Sequence, residues 1–410
     1  MHLADSNQPD WADLLAAEWM DEIRKAYKNK GITNNISEKV IKKTAVELTK
    51  ALDKGYLDES IDYDSPDEVL RQYLKNNVWK FSTAKNYNDC VKLSNLLVKE
   101  DGSIRTWNEF RKEAQKVVGD SNRYLKTEYE TIFASGQMAR LWQKIQAEKA
   151  IFPYIQFVVV LDGHTTEICQ PLHNVIVSVD DPNLALYFPL NHWGCRTTVK
   201  QLRFGKPTEN VKWPSIPEAF QNNPGQNGNI FTDKNSYIAN TPKDVLNLSR
   251  IFAERQQKFE ELLKNSDYTD VEFGDMLGLK ATHKEHNFNT NTGKYEKTVQ
   301  DLFFKKGDEI ILENESSKIP GKKVDGFLNG QSFDMSSILS DGENNIKRAL
   351  NHSRKKNAEI AILYFPDENN FSIEKLNISV KKYNGQTDYR FKKIIYIVND
   401  KILVYKKPAE

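Results

Sequence analysis

The sequence predicts a multidomain α+β protein: a mainly α-helical N-terminal region, a small β module and a C-terminal α/β domain. Three observations predict it. Apolar residues recur three and four apart over residues 11–150, β-branched runs of strand length take over near residue 154, and strand and helix patterns alternate beyond residue 280. At 410 residues, 39% hydrophobic and 28% charged, the chain is too long for one core, so two to four domains are expected.

The helical region, 1–150, carries one stripe at Ile41, Ala45, Leu48 and Leu52 and another at Met138, Leu141, Trp142 and Ile145. Turn chemistry marks its breaks: Lys54-Gly55, the start signal Asp64-Ser65-Pro66, and Asp101-Gly102. Residues 151–203 read as an irregular β module, with strands over 154–160 and 175–179. Residues 204–279 read as an arm and linker helix. Pro207, Pro214, Pro217, Pro224 and Pro242 and the Asn/Gln/Gly-rich run 221–229 suggest little buried surface, and a helix over 242–263 closes the arm. The last domain, 280–410, holds a helix over 294–305, a hairpin over 323–335, a helix over 343–356, and strands over 359–365 and 392–405.

Net charge is +1, which leaves no overall field to draw the molecule onto nucleic acid or membrane. The division is uneven: residues 280–410 hold 23 Lys/Arg against 18 Asp/Glu, a net of +5, and residues 1–279 hold 35 against 39, a net of −4. Mean hydropathy is −0.65, and apolar runs such as 155–161 fall short of the ~20 residues of a membrane helix, so no span is expected. Polar, acidic residues 1–11 lack the basic and apolar segments of a secretory signal. Three cysteines make no disulfide framework, and a reducing compartment or metal ligation suits them better.

Four of the ten Cys and His residues fall close together: Cys169, His173, His192 and Cys195. C-x3-H followed by H-x2-C gives two chelating pairs joined by a loop, as a closed, structural tetrahedral zinc site requires. The alternative is two small buried thiols and two ordinarily hydrogen-bonded imidazoles.

The run Asp162-Gly163-His164-Thr165-Thr166-Glu167-Ile168-Cys169, then Pro171-Leu172-His173, then Phe188-Pro189-Leu190-Asn191-His192-Trp193-Gly194-Cys195-Arg196 resembles the head-morphogenesis motif of Mu F-like minor head proteins of tailed phages and prophages. Residues 78–85, 127–129 and 137–142 are similar to the helical segment before that motif, so the resemblance covers roughly residues 10–203. Two positions depart from it: Leu190 stands where a second proline is common, and Thr197 where a second cysteine is. The resemblance implies a virion component of the procapsid interior or portal vertex, with portal and capsid proteins as partners.

Asn329-Gly330 is a strong two-residue hairpin signal, since both residues tolerate the positive φ of a type I′ turn. Counting outward pairs Leu328 with Gln331, Phe327 with Ser332, Gly326 with Phe333 and Asp325 with Asp334. The two carboxylates would then stand ~4.5–5.5 Å apart at Cβ, a repulsive arrangement unless they bind a cation, share a proton or sit in water. On the helix that follows, Ile346, Ala349, Leu350 and Ser353 form the inward stripe, with Arg348, His352 and Lys355 opposite and Lys347, Asn351 and Arg354 flanking. Cations beside paired carboxylates suit phosphodiester cleavage.

Residues 294–407 resemble the C-terminal tRNA-nuclease domains of CdiA-type contact-dependent inhibition toxins. The resemblance rests on 321–334, Asn345-Ile346-Lys347-Arg348-Ala349-Leu350, 355–362 and a closing hairpin turning at Asn399-Asp400. The pattern is also similar to PD-(D/E)xK nucleases, with Asp325 and Asp334 as acids, Glu296 as a third, and Ser336 where a lysine is expected. The resemblance implies a nuclease-like domain acting on RNA, most of all tRNA, in the bacterial cytoplasm, with a cognate immunity protein. Lys347 or Lys356 could supply the missing cation beside Mg²⁺, or His352 or a lysine could move the proton without metal.

Overall fold

The computed structural model describes residues 11–58, 67–288, 293–316 and 323–407. Asp64, Ser65 and Pro66, Gly321 and Lys322, and residues 1–10 lie outside the described residues. The chain is mixed α+β and divides into two compact units, Met1–Ala253 and Glu254–Glu410. Among the described residues, no helix is long and apolar enough to cross a membrane.

The first unit begins with helices α1 (Trp11–Asn29), α2 (Glu38–Tyr56), α3 (Glu68–Asn95), α4 (Trp107–Arg123) and α5 (Leu125–Glu148). Side-chain caps fix three of the starts: Ser37 accepts from the Val40 amide, Asp67 accepts from Leu70, and Thr106 with Glu109 forms a capping box. The expected stripes are buried, Leu48 and Leu52 against Phe81 and Ile132 in one core and Met138 and Trp142 against the β module in another. Gly55 does not act as a break. It lies in the last turn of α2, where a Cβ would meet the Phe133 carbonyl oxygen at 2.0 Å, and Gly136 of α5 faces the Leu52 carbonyl at 2.6 Å. Two glycines thus let the α2 and α5 backbones touch.

The β module comprises β1 (Tyr154–Val158), β2 (Ile176–Ser178), the short α6 (Leu184–Tyr187) and β3 (Thr198–Leu202), with β1 antiparallel between the other two. Strand β3 is not evident in the sequence, because its polar, lysine-bearing run lacks a clear apolar period.

The stretch 204–243 differs from its expectation as an arm with little buried surface. With α7 (Pro224–Asn227) and α8 (Ser236–Ala239), it buries Phe220, Ile230, Phe231 and Ile238 in the core that holds Leu48 and Phe81. Each such side chain contributes roughly 1.5–3 kcal/mol by burial. Asn77 of α3 makes this possible. Its side-chain oxygen accepts from the Ile230 and Phe231 amides, both at 2.9 Å, and its amide donates to the Phe231 carbonyl at 3.1 Å. One asparagine thereby satisfies a buried backbone, a device that composition cannot reveal.

The helix α9 (Lys243–Lys264) leads into the second unit, a single eight-stranded sheet. In chain order it contains β4 (Tyr268–Phe273), β5 (Leu279–His283), α10 (Lys294–Lys305), β6 (Glu309–Leu312), β7 (Gly326–Leu328), β8 (Gln331–Ser337), α11 (Asn345–Lys355), β9 (Ile360–Phe365), α12 (Ile373–Asn384), β10 (Lys393–Val398) and β11 (Lys401–Val404). The strands follow one another in order across the sheet, with β5/β6, β8/β9 and β9/β10 parallel and the other pairs antiparallel. Since β4 and β5 belong to this sheet, the expected start at residue 280 would cut through it.

Strand β9 is buried along its whole length, as expected of an apolar run covered on both faces. Ile360, Ile362 and Tyr364 pack with Val299 and Phe303 of α10; Ala361, Leu363 and Phe365 pack with Leu350 of α11 and Leu376 of α12. The same alternation sends Phe333 and Met335 of β8 toward the α10 side and leaves Asp334 to α11.

Candidate functional site

The hairpin forms in the register counted from the sequence, with Leu328 opposite Gln331, Phe327 opposite Ser332 and Gly326 opposite Phe333. Asn329 and Gly330 take φ of 49° and 77°. The turn thus carries Asp325 and Asp334 into the interior, 3% and 0% exposed. Lys356, just beyond α11, places Nζ 2.6 Å from Asp325 Oδ1 and 2.7 Å from Asp334 Oδ1, bridging the pair. Other donors complete the carboxylates. The Met335 amide donates to Asp325 Oδ2 at 2.7 Å, the Ser353 hydroxyl to Asp334 Oδ2 at 2.7 Å, and His352 Nδ1 lies 3.1 Å from that oxygen.

Glu296 of α10 is close enough to act on Asp325 electrostatically and is held by His286, whose Nε2 is 2.6 Å from Glu296 Oε2. The other ring nitrogen of His286 lies 2.9 Å from the Glu313 carbonyl and 3.5 Å from Glu315 Oε2, and Glu315 also approaches Lys356 at 3.8 Å. His286, Glu296 and Glu315 bring their ligand atoms within 4.8 Å of one another. Lys347 stays outside this arrangement and acts instead on Glu343. Sequence reasoning missed His286, Glu315 and Ser353, although Ser353 was placed on the inward stripe. A histidine ten residues before Glu296 is the one signal that could have drawn attention.

Burial and the neighbouring Asp334 push the Asp325 carboxyl well above its usual range. Burial also works against ionised Asp334, but His352 and Lys356 outweigh it and hold this carboxyl low. The pair is built to share one proton, with the charge on Asp334. Burial opposes the Lys356 charge, yet the two aspartates raise its pKa, so it stays a cation.

The second cluster lies in the β module. Cys169 Sγ is 3.0 Å from His192 Nε2 and 3.6 Å from Cys195 Sγ, and all three cysteines of the chain are free thiols. His173, expected as the fourth member, is outside the group: it follows the short helical turn Gln170–Leu172 on extended backbone, and its Nδ1 is buried without a partner. The hydrogen bond from Cys195 is the largest influence on Cys169, holding its thiol down to about 4, and reciprocally raises Cys195. His192 is disfavoured as a cation by burial but raised overall by Cys169. Beside them, Asp162 and Arg196 form a two-pronged ion pair at 2.6 Å in each arm.

Residues 103–200 match the family described as Phage Mu protein F like protein. That stretch is similar to a Mu F-like domain. A protein of Escherichia phage Mu named for capsid assembly, protein F, is 29% identical over 113 residues, which cover 27% of this chain and 25% of the phage protein. The chain therefore spans about a quarter of that relative. Among solved structures, the toxin and immunity complex CdiA-CT/CdiI from Burkholderia pseudomallei aligns with 30% of this chain and 89% of its own at 20% identity, with a TM-score of 0.23. A likeness at that score carries no argument about fold or activity. The Mu F-like stretch contains the Cys/His cluster and ends before the acid pair begins.

Proposed function

We propose that the chain is a phage or prophage minor head protein whose second unit is a ribonuclease acting on tRNA. The head role is supported by the likeness of residues 103–200 to Phage Mu protein F like proteins, and in that role the protein would sit at the procapsid interior or portal vertex, among portal and capsid proteins. The nuclease role rests on one observation: two interior carboxylates that share Lys356 and open toward His352, a half-exposed imidazole. Lys356 balances the charge that develops on a phosphate, and Asp325 carries a proton for the leaving oxygen. Asp334 orients His352 through Nδ1, leaving Nε2 as the nitrogen available to draw a proton from a ribose hydroxyl.

A Mg²⁺ ion fits the acid pair less well: Lys356 Nζ already bridges Asp325 and Asp334, and Glu296 converges with His286 and Glu315 rather than with the aspartates. Were the three acids to hold one, it would supply charge stabilisation at the phosphate. Such a toxin calls for a cognate immunity protein in the cell that makes it. Expression of the full chain should arrest growth and break tRNA, whereas Asp325→Ala and Asp334→Ala should do neither. Cleavage that survives EDTA assigns the proton to His352, and cleavage abolished by EDTA and restored by Mg²⁺ assigns it to the metal arrangement. A folded, soluble wild-type chain that leaves RNA intact would end the nuclease reading.

A further inference from the structure

The cluster of Cys169, His192 and Cys195 takes no part in the proposed nuclease chemistry. Its geometry nevertheless points to a ligand. Two sulfurs at ~2.3 Å and a nitrogen at ~2.0–2.1 Å from a tetrahedral Zn²⁺ stand ~3.8 Å (S to S) and ~3.5 Å (S to N) apart. Here the sulfur separation is 3.6 Å and one sulfur-to-nitrogen separation is 3.0 Å, so a shift of about half an ångström in the ring makes room for the ion.

The surroundings are those of a metal-ligand set. His192 Nδ1 is 2.8 Å from the Trp193 carbonyl, so it carries the proton and Nε2 turns its lone pair to the sulfurs and to Thr166 Oγ1 at 3.0 Å. The amides of Asn191 and Thr197 donate to the Cys195 sulfur. Tight turns fix both ends: the Cys169 amide donates to the Thr166 carbonyl at 3.1 Å, and the Cys195 amide donates to the His192 carbonyl at 3.2 Å across Gly194, at φ 66°. Arg196, a cation next to the cluster, is already engaged by Asp162.

We propose that Cys169, His192 and Cys195 bind one Zn²⁺ ion, with the fourth position filled by water and open to the recess lined by Val160, His164, Thr165 and Arg196. His173 is not a ligand. Binding replaces the hydrogen bond between the Cys169 and Cys195 sulfurs with two metal–sulfur bonds and releases to solvent the protons that the ligand atoms hold.

The test uses the full-length chain. Purified protein should hold about one equivalent of zinc, and Co²⁺ in its place should show sulfur-to-cobalt charge-transfer bands of a tetrahedral site. X-ray absorption should fit two sulfurs, one imidazole nitrogen and one oxygen. Cys169→Ser, His192→Ala and Cys195→Ser should each lose the metal, and His173→Ala should keep it. Zinc should slow alkylation of Cys169, and a chelator should restore it. The proposal is overturned by wild-type protein that takes up neither Zn²⁺ nor Co²⁺, by a Cys169–Cys195 disulfide in freshly isolated protein, or by alkylation that zinc does not slow. A second imidazole in the absorption fit, or metal loss in His173→Ala, would overturn the three-ligand site. The cobalt and alkylation readings need only wild-type protein, so a variant that fails to fold does not decide the matter.

Discussion

Each unit contains a lysine paired with buried carboxylates, and the two differ in access. In the helical core, Lys85 Nζ lies 2.7 and 2.6 Å from the two oxygens of Glu128 and 3.1 Å from the Ser121 carbonyl, with Asp89 receiving the Ser121 hydroxyl at 2.6 Å. The Lys85 and Glu128 side chains are 5% and 3% exposed. In the sheet unit, Lys356 is 17% exposed between Asp325 and Asp334, and the His352 side chain attached to Asp334 is 58% exposed. Both clusters neutralise their own charge. The second leaves its cation partly exposed, whereas the first closes over Lys85 almost completely. A buried ion pair alone is weak grounds for function, whereas one linked to an exposed imidazole has something to act with.

Removing the two lysines should separate these roles. Lys356→Met should lower RNA cleavage by roughly 10²–10³-fold, the scale of losing one group that stabilises transition-state charge. Lys85→Met should leave cleavage per folded molecule unchanged but cost the first unit about 3–5 kcal/mol, because Glu128 is left buried without its partner. All seven tryptophans precede residue 254, so tryptophan fluorescence in urea reports the first unit. Equal loss of cleavage in both variants would dissolve the contrast.

The two clusters were also unequally legible in the sequence. Asp325 and Asp334 could be paired because Asn329-Gly330 fixes a two-residue turn, and period-2 alternation then does the counting. Lys356 and His352 enter as candidates through the nuclease resemblance, while the helical period sets His352 opposite the inward stripe; that His352 nevertheless reaches Asp334, and that Lys356 rather than Lys347 bridges the acids, depends on how the helix lies across β8 and β9, a tertiary matter. The Lys85–Glu128 pair was invisible. Both residues sit on helices whose sequences allow either residue an exposed place, and only the packing of α3 on α5 seals them. His173 failed for a related reason: its spacing suits a chelate, yet the turn at Gln170–Leu172 parts it from Cys169. Asn77 shows the same limit for the fold, since one side chain converts a polar, proline-rich stretch into core.

A smaller effect tests how the turn supports the open cluster. Gly330 has φ 77° and no atom within 4 Å of an added Cβ, so Gly330→Ala meets strain but no clash. It should destabilise the second unit by about 1–2 kcal/mol and leave the fluorescence-detected midpoint of the first unit in place. Hydrogen exchange of the β7 and β8 amides, followed by mass spectrometry, would measure it. Unchanged protection would mean that α11 and β9, rather than the turn, set the register of the acids.

The smallest expected effect concerns His286, which ties Glu296 and Glu315 to the edge of the open cluster. Burial disfavours its charge, but Glu296, the Glu313 carbonyl and Glu315 together outweigh burial and raise its pKa above the unfolded value of about 6.5. The folded state therefore binds this proton more tightly than the unfolded chain. Its contribution is complete below the unfolded pKa and is lost as pH rises through the folded one. The second unit should thus become easier to unfold from about pH 6 upward. Asp325, also raised, adds a slope of the same sign from its own lower starting point. His286→Gln should remove the histidine share alone, so the difference between wild-type and variant unfolding midpoints should shrink as pH rises. Protease susceptibility of the second unit across pH, read by mass spectrometry, would give those midpoints. A difference that stays constant with pH would show that His286 is neutral in the folded protein and contributes only its hydrogen bonds to Glu296 and the Glu313 carbonyl.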